Sequence, residues 1–342
     1  MKKKKLRAGL IGCGRIGSLL ELDELRGKPC THAGGYDAHP KVKLVAGCDI
    51  NEKRLKKFKG QWKGVKTYTD IQKFLKQDLD IISIAVWTEN HYKVLQEVVK
   101  SPSVKVILTE KPLASTVRQG SRILRLCEKY GKKLIVYHVR QWDASYMHAR
   151  ELIQEGKLGK IKTVFCQTLS RKPPKLPRKK YTGGTFFHDG THLIDILRYL
   201  CGNVKSIDSV KVKRPWGKDY VESHVYACLK LKKNIEVFVE GGGEREYFTF
   251  HLDIQGTHGR LQIGNHIRKL SITEESKQFS GFHELEEKDF VLKNTITNAH
   301  YNCVENIVDH IHNGAPLLST GADALEALRV IEKIYRLGNQ KI

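Results

Sequence analysis

The residues best suited to chemistry begin with three glycines near the N-terminus. Gly12, Gly14 and Gly17 form a GxGxxG motif directly after the apolar segment LRAGLI. In such a motif the first glycine allows a tight turn, the second lets the backbone approach a pyrophosphate, and the third lets a helix pack on a strand. The spacing predicts a dinucleotide-binding turn that includes Arg15 and Ile16 and is followed by a helix whose N-terminus faces the anion.

A second signal for a dinucleotide is Asp49, which ends the segment KLVAGCD. A carboxylate there can accept hydrogen bonds from a ribose diol and would repel a 2′-phosphate, which favours NAD over NADP. Lys53 and Arg54 leave NADP as the alternative. Asp49 lies further beyond Gly17 than the usual spacing of about 20 residues, and we expect the excess, ELDELRGKPCTHAGG, to form a loop beside the cofactor cleft. In the competing interpretation, the glycines only shape a turn in another kind of α/β protein.

Titratable groups also gather in the segment GTFFHDGTHLIDILRYL, residues 184–200. At 100° per residue, a helix here places His188, His192, Asp195 and Tyr199 on one side and most apolar side chains on the other. A histidine on the polar side can take a proton near neutral pH. A merely solvated helix face is one alternative. Metal ligation by the two histidines is another, but no HExxH motif is present and we predict no metal.

The elements that must position these residues follow from the apolar pattern. Between residues 6 and about 136, short runs rich in Val and Ile alternate with amphipathic stretches, as in the parallel strands of a doubly wound sheet. After about residue 145, consecutive alternating strands joined by Gly or Asn turns indicate an antiparallel sheet. We predict an α/β Rossmann domain over 1–136 and an α+β domain with an open, mostly antiparallel sheet over 137–342. Its closing helices are expected to pack back near the junction.

Composition excludes several other classes of protein. The 342 residues are 40% hydrophobic and 28% charged, as in an ordinary globular protein, and no apolar run approaches the roughly 20 residues of a membrane span. The basic start MKKKKLRAGLIG has too short an apolar part for a signal peptide. Eight dispersed cysteines without a CxxC pair indicate a reducing, cytoplasmic location. The net charge of +23 is spread along the chain without a nucleic-acid motif, so we expect neither nucleic acid nor membrane as a partner.

A further motif, VILTEKP, carries Glu110 and Lys111 at the end of a strand. Together with GxGxxG, Asp49 and the segment WTENH, which contains Thr88 and His91, it resembles the Gfo/Idh/MocA oxidoreductases. These are relatives of glucose-fructose oxidoreductase and inositol dehydrogenase. The resemblance continues through VRQWDASYMHARELIQEGKLGKI, GGTFFHDGTHLIDILRYLCG and the final helix, so it covers essentially the whole chain.

The resemblance implies which groups act on the substrate. Lys111 and His192 would work on a hydroxyl group: His192 takes its proton, and Lys111 stabilises the alkoxide or shares the role of base. The family usually has an aspartate four residues before its histidine, where this chain has His188. Either His188 replaces that carboxylate on the substrate, or Asp189 reaches round from the next position.

The same resemblance implies the other contacts. Thr88, His91, Glu110 and Lys111 would lie at the cofactor, and the second domain would supply subunit contacts in a homodimer or homotetramer. Arg140, in VRQWD, is a candidate for positioning the cofactor or the substrate, with an ordinary interdomain salt bridge as the alternative.

A basic loop precedes the histidine helix. The segment RKPPKLPRKK, residues 171–180, contains six positive charges and no negative one. In the family the corresponding loop approaches the substrate or a neighbouring subunit. We therefore expect Lys179 and Lys180 to contact a substrate that carries a phosphate, diphosphate or carboxylate. A solvated surface loop is the alternative.

These features together predict an NAD-dependent dehydrogenase that oxidises a secondary alcohol of a sugar, sugar derivative or cyclitol. A nucleotide-sugar 3-dehydrogenase is an alternative enzyme. A non-catalytic, dinucleotide-binding sensor on the same scaffold is an alternative of another class, and the presence of both Lys111 and His192 favours an enzyme over it.

Overall fold

The computed structural model describes residues 4–171, 175, 177, 183–217, 219–292 and 298–338. Its internal contacts divide the chain into two units. The first unit combines Met1–Asp143 with Asn298–Glu326, and the second combines Ala144–Thr297 with Ala327–Ile342.

The first unit contains a parallel sheet of six strands in the order β3-β2-β1-β4-β5-β6. Strands in its middle are apolar and buried on both faces, as expected when helices cover both sides of a parallel sheet. The strands are β1 (Leu6–Ile11), β2 (Val42–Cys48), β3 (Lys66–Tyr68), β4 (Ile81–Ile84), β5 (Val106–Thr109) and β6 (Lys133–Val136). The helices between them are α1 (His32–Ala38), α2 (Glu52–Gln61), α3 (Ile71–Leu75), α4 (Thr88–Val98) and α5 (Val117–Lys129).

The second unit contains an eight-stranded sheet in the order β14-β13-β12-β11-β7-β10-β9-β8, antiparallel except for the β7–β10 pair. Its strands are β7 (Ile161–Leu169), β8 (Val204–Lys213), β9 (His224–Leu231), β10 (Glu236–Gly242), β11 (Thr249–Gly256), β12 (Gly259–Gly264), β13 (Ile267–Glu275) and β14 (His283–Lys288). Its helices are α6 (Ala144–Gln154), α7 (Thr185–His188) and α8 (Gly190–Cys201). Burial alternates along β7, β9, β10 and β11, so one sheet face is apolar and packed while the other is open.

Two further helices close the chain, α9 (Ala299–Asn313) and α10 (Gly321–Leu337). Helix α9 packs against α1 and the 3₁₀-helix Val139–Trp142 in the first unit. The first unit therefore includes residues beyond 136, and the predicted domain boundaries of 1–136 and 137–342 stay a prediction. The physical reason for this extension is the core: Trp142 stacks on Tyr137, and the apolar side of α9 joins the same buried cluster.

The predicted fold class, a Rossmann domain followed by an α+β domain with a mostly antiparallel sheet, is confirmed. Over the described part of the chain, no helix combines the length and the apolar character needed to cross a membrane.

Candidate functional site

The glycine turn after β1 fits a dinucleotide. Gly12 has φ +94°, and a Cβ there would lie 2.5 Å from the carbonyl oxygen of Ala85. A Cβ at Gly17 would lie 2.0 Å from the oxygen of Gly12, so neither position accepts a side chain. A Cβ at Gly14 would meet only the Arg54 guanidinium, at 3.9 Å. The turn is therefore closed by packing at its two ends and open in its middle, where a pyrophosphate would approach.

The helix predicted after the glycine turn does not follow it directly. The chain there forms a turn and the 3₁₀-helix Leu19–Leu22, and α1 begins only at His32. The predicted inserted loop, residues 21–35, includes the start of α1 as well as the irregular segment between these two helices. The ends of this irregular segment are joined by the Glu21 carboxylate, which accepts hydrogen bonds from Cys30 N (3.0 Å) and Thr31 Oγ1 (2.7 Å). Asn298 Nδ2 also donates to Pro29 O at 2.7 Å, which anchors the loop to the start of α9.

Asp49 stands at the carboxyl end of β2, as predicted. Its Oδ2 accepts a hydrogen bond from Cys13 N and its Oδ1 accepts one from Asn51 N, both at 2.9 Å. The carboxylate is thereby fixed beside the glycine turn. Arg54 Nη1 lies 3.8 Å from Oδ2 and is half-exposed. The ribose end of a bound dinucleotide would therefore meet one buried carboxylate and one exposed guanidinium.

Glu110 and Lys111 follow β5. The Glu110 carboxylate turns into the first unit, where Oε1 lies 2.9 Å from His32 Nε2 and Oε2 accepts a hydrogen bond from Lys111 N at 3.2 Å. Burial alone would raise the pKa of Glu110, but the hydrogen bond and charge of His32, together with Lys111, hold it below its ordinary value. The carboxylate thus supports the Lys111 backbone, and the predicted contact of Glu110 with the cofactor stays a prediction.

Both ring nitrogens of His91 face backbone carbonyl oxygens, and its predicted contact with the cofactor stays a prediction. Its Nδ1 lies 2.9 Å from Pro112 O and its Nε2 lies 3.0 Å from Val86 O. Burial lowers the pKa of His91. A neutral imidazole ring carries one N–H, so it donates to one of these two carbonyl oxygens and lies against the other. Thr88, also buried, is the first residue of α4.

The predicted histidine helix is divided at Asp189 into α7 and α8. His188, Asp189 and His192 are half-buried. Asp195, predicted to share their polar face, is instead buried, with 1% of its surface exposed. The apolar side of α8 is buried as predicted, because it packs against β7 and α6.

A buried carboxylate holds the start of this helical segment. Glu222 Oε2 accepts a hydrogen bond from Gly184 N at 2.9 Å, and Oε1 accepts one from Phe186 N at 3.1 Å. Tyr335, in α10, donates a third from its hydroxyl. Burial raises the pKa of Glu222, although these hydrogen bonds work in the opposite direction. A Cβ at Gly184 would lie 2.4 Å from Glu222 O, which explains the glycine before the histidine segment.

The predicted site residues fall in both units. Lys111 and Arg140 belong to the first unit, and Arg140 lies in the 3₁₀-helix Val139–Trp142. His188, Asp189 and His192 belong to the second. Lys179 and Lys180 lie outside the described residues. Among the residues that the structure describes, no group of three His, Cys, Asp or Glu side chains is arranged to hold a metal ion.

Sequence reasoning missed four residues that hold the candidate site in place. His32 was hidden inside the segment assigned to the inserted loop, and Ser83 looked like an ordinary strand residue. Glu222 and Tyr335 lie far from the histidine segment in sequence. Only the paired glycines of GGTFF signalled that another group approaches closely there.

Comparison with known proteins covers both units. Residues 6–138 match the family described as "Oxidoreductase family, NAD-binding Rossmann fold", and residues 150–341 match "Oxidoreductase family, C-terminal alpha/beta domain". The chain is 23% identical over 337 residues to the inositol 2-dehydrogenase of Rhizobium meliloti, covering 97% of this chain and 96% of that protein.

Two further comparisons add a second sequence relative and a solved structure. The myo-inositol 2-dehydrogenase of Thermotoga maritima is 23% identical over 266 residues, covering 76% of this chain and 75% of that protein. The structure of the WlbA dehydrogenase from Bordetella pertussis, in complex with NADH and UDP-GlcNAcA, superposes with a TM-score of 0.80. It is 20% identical and covers 99% of this chain and 97% of the other, which indicates a shared fold.

Proposed function

The chain belongs to the Gfo/Idh/MocA oxidoreductase family, and we propose that it oxidises one secondary hydroxyl of a sugar, sugar derivative or cyclitol. As a member of this family it binds NAD and acts as a dehydrogenase on CH–OH groups. The eight cysteines are free thiols, which supports a cytoplasmic location for the enzyme.

One observation carries the proposal: Lys111 follows β5 at the same edge of the sheet where the glycine turn follows β1 and Asp49 follows β2. The strand order β2-β1-β4-β5 separates Asp49 from Lys111 by three strand spacings, about 14 Å. A dinucleotide with its adenosine ribose at Asp49 and its pyrophosphate at Gly14 would extend its reactive end towards Lys111. The Lys111 ammonium would then lie beside the hydroxyl of the substrate carbon that is oxidised.

In the proposed mechanism the oxidised cofactor supplies the hydride acceptor. The substrate carbon loses a hydride and its hydroxyl loses a proton, so that a C=O double bond forms. His192 accepts the proton, and the Lys111 ammonium donates a hydrogen bond to the same oxygen and stabilises its developing negative charge. His188 or Asp189 binds a neighbouring hydroxyl of the ring, and Arg140 positions the substrate or the cofactor.

The names of similar proteins favour two classes of substrate. Two similar proteins are inositol 2-dehydrogenases, which supports a cyclitol. A nucleotide-sugar 3-dehydrogenase is the second candidate, favoured by the basic segment 171–180 and by the fold shared with a dehydrogenase crystallised with UDP-GlcNAcA. In that case Lys179 and Lys180 would bind the diphosphate.

The deciding experiment follows NADH formation by absorbance with myo-inositol, free sugars, sugar phosphates and UDP-sugars. Turnover of a cyclitol supports the first candidate. Turnover of a UDP-sugar, with a KM that rises when Lys179 and Lys180 are changed to Ser, supports the second. If NADH binds but no compound of these classes is oxidised, the sensor alternative replaces both.

The open face of the second unit supports a homodimer or homotetramer. Phe165 of β7 and Phe238 of β10 pair across the strands and stack with ring centroids 5.0 Å apart. They are 45% and 44% exposed, which is unusual for two adjacent phenylalanines in the middle of a sheet. We propose that a second copy of the chain covers this face.

A further inference from the structure

A chain of buried hydrogen bonds connects the residue before Lys111 to the interior of the first unit. From Glu110 Oε1 it runs 2.9 Å to His32 Nε2, then 3.1 Å from His32 Nδ1 to Ser83 Oγ, and 2.6 Å from Ser83 Oγ to the Tyr36 hydroxyl. All four residues are buried, and they come from α1, β4 and the end of β5. Three separate elements therefore meet behind the lysine loop.

The hydrogens of this chain can all be used in one direction. When His32 is neutral, the Tyr36 hydroxyl can donate to Ser83, the Ser83 hydroxyl to His32 Nδ1, and His32 Nε2–H to the Glu110 carboxylate. Such a fully satisfied buried network is rigid, because breaking any link leaves a polar group without a partner in the interior.

The imidazole of His32 is also fixed by aromatic neighbours. The Tyr137 ring lies 5.1 Å from it and the His300 ring 6.3 Å, measured between centroids. Tyr137 in turn stacks on Trp142. His32 begins α1, where the Thr31 side chain caps Gly34 N, so the backbone on its N-terminal side is held as well.

Both neighbours of Lys111 are thus anchored by a buried histidine. His32 holds the Glu110 carboxylate, which accepts the hydrogen bond of Lys111 N, and His91 contacts the carbonyl oxygen of Pro112. A lysine side chain has many rotamers, and a displacement of about 1 Å in a reacting group can cost about 100-fold in rate. Fixing the backbone on both sides limits where the ammonium can go.

We propose that His32, acting through Glu110, is a positioning residue for the catalytic Lys111. This inference rests on the proposed function, because it assumes that Lys111 contacts the reacting hydroxyl. Neither His32 nor Glu110 is expected to touch the substrate. Their role is to hold the Lys111 backbone where its side chain meets the oxygen being oxidised.

The test uses His32→Phe, which keeps a flat ring beside Tyr137 but removes both hydrogen bonds. We expect kcat to fall by about 10- to 100-fold, while KM and the Kd for NADH stay within about threefold. His32→Gln, whose amide can still donate to Glu110, should recover part of the loss. Independently of turnover, hydrogen exchange of the unliganded protein should become faster in the peptide that contains the Lys111 amide.

His39→Phe is the matched control. His39 lies at the other end of α1 and pairs with the Glu305 carboxylate, so its loss weakens the same helix without reaching Lys111. If His32→Phe lowers kcat no more than His39→Phe, or leaves exchange at Lys111 unchanged, the inference is overturned. If His32→Phe fails to fold, kcat and the hydrogen exchange at Lys111 are measured for Glu110→Gln and His32→Gln instead.

Failure of the proposed function can be distinguished from failure of the positioning role of His32. An active Lys111→Met variant would overturn the role of the lysine and, with it, the positioning of a catalytic group. Hydrogen exchange would still show whether His32 holds this backbone.

Discussion

The hydroxyl of Tyr335 donates a hydrogen bond to the buried carboxylate of Glu222, which also accepts hydrogen bonds from the backbone at the start of the histidine segment. Gly184 and Phe186 supply those two N–H groups, four and two residues before His188. Helix α10 therefore supports the segment that carries His188 and His192 indirectly, through the Glu222 carboxylate. A carboxyl group buried in this way is tolerated only while its hydrogen bonds are intact.

Replacing Tyr335 by Phe removes one hydrogen bond to this carboxylate and keeps the ring beside Phe186. Because the change leaves a buried acceptor without one of its donors, we expect a loss of about 1–3 kcal/mol in the free energy of unfolding. Chemical denaturation followed by circular dichroism measures it. Tyr130→Phe, at an exposed helix end, is the control and should change stability by less than about 0.5 kcal/mol. Equal effects of the two changes would show that the Glu222 hydrogen bond contributes little.

Replacing Lys111 or His192 by Ala separates chemistry from cofactor binding. We expect each change to lower kcat by about 10²–10⁴-fold, because it removes a group that stabilises or takes up charge during oxidation. The Kd for NADH, measured by fluorescence titration, should stay nearly unchanged. Lys93→Ala, on the exposed side of α4, is the control and should keep full turnover. Near-normal turnover of both variants would remove Lys111 and His192 from the mechanism.

The sheets and the family could be predicted from the sequence because their signals are local. Runs such as DIISIAV and VKVILTE carry the burial of a parallel strand in their own residues, and the GxGxxG and EKP motifs are contiguous. Both the fold class and the family are confirmed. The helical period also predicted the buried apolar side of α8 correctly.

The supporting residues could not be predicted because their partners are distant in sequence. His32 contacts Glu110, which lies 78 positions later in the sequence, and Glu222 contacts Tyr335, which lies 113 positions later. No sequence periodicity indicates such pairs. The same limit explains Asp195: its position on the helix wheel is polar, but the surrounding elements bury that position. The packing of α9 against α1 has no local signal either, because the two helices lie far apart in the chain.

Cofactor preference should depend on Asp49 and Arg54 in opposite ways. Asp49→Ser removes the negative charge that disfavours a 2′-phosphate and two hydrogen bonds to the glycine turn and Asn51. We expect the Kd for NADH to rise about tenfold or more and the preference for NADH over NADPH to shrink. Arg54→Ala should weaken NADPH binding more than NADH binding, whereas Lys57→Ala, an exposed change on α2, serves as control. Fluorescence titration with both cofactors measures this, and a wild-type preference for NADPH would contradict the assignment.

Stability in mild acid should depend on His300. Burial, followed by the neighbouring His32, lowers the pKa of His300 to about 3. Below pH about 6.5 the unfolded chain therefore binds a proton there that the folded protein does not, so stability falls as the pH falls. Between pH 6.5 and 5 the loss is about 2 kcal/mol at about 1.4 kcal/mol per pH unit.

His300→Phe keeps the ring beside Tyr137 and removes this proton uptake. The stability difference between wild type and His300→Phe, from urea unfolding at each pH, should therefore shift by about 2 kcal/mol towards the variant between pH 6.5 and 5. Parallel pH curves for the two proteins would show that His300 is protonated as readily in the folded chain as in the unfolded one.

The subunit contact proposed for the open sheet face can be tested by charge. Phe165→Lys combined with Phe238→Lys places two positive charges where we expect a second copy to pack, in a protein that already carries a net charge of +23. Burying unpaired charges in an apolar contact is unfavourable, so the assembly should dissociate into single chains. Light scattering should then give the mass of one chain, 39.0 kDa. Tyr130→Lys, on a helix of the first unit, makes the same kind of change away from the sheet and should leave the mass unchanged. A wild-type protein that is already monomeric, or a double variant that keeps the wild-type mass, would show that the Phe165–Phe238 pair is not the contact.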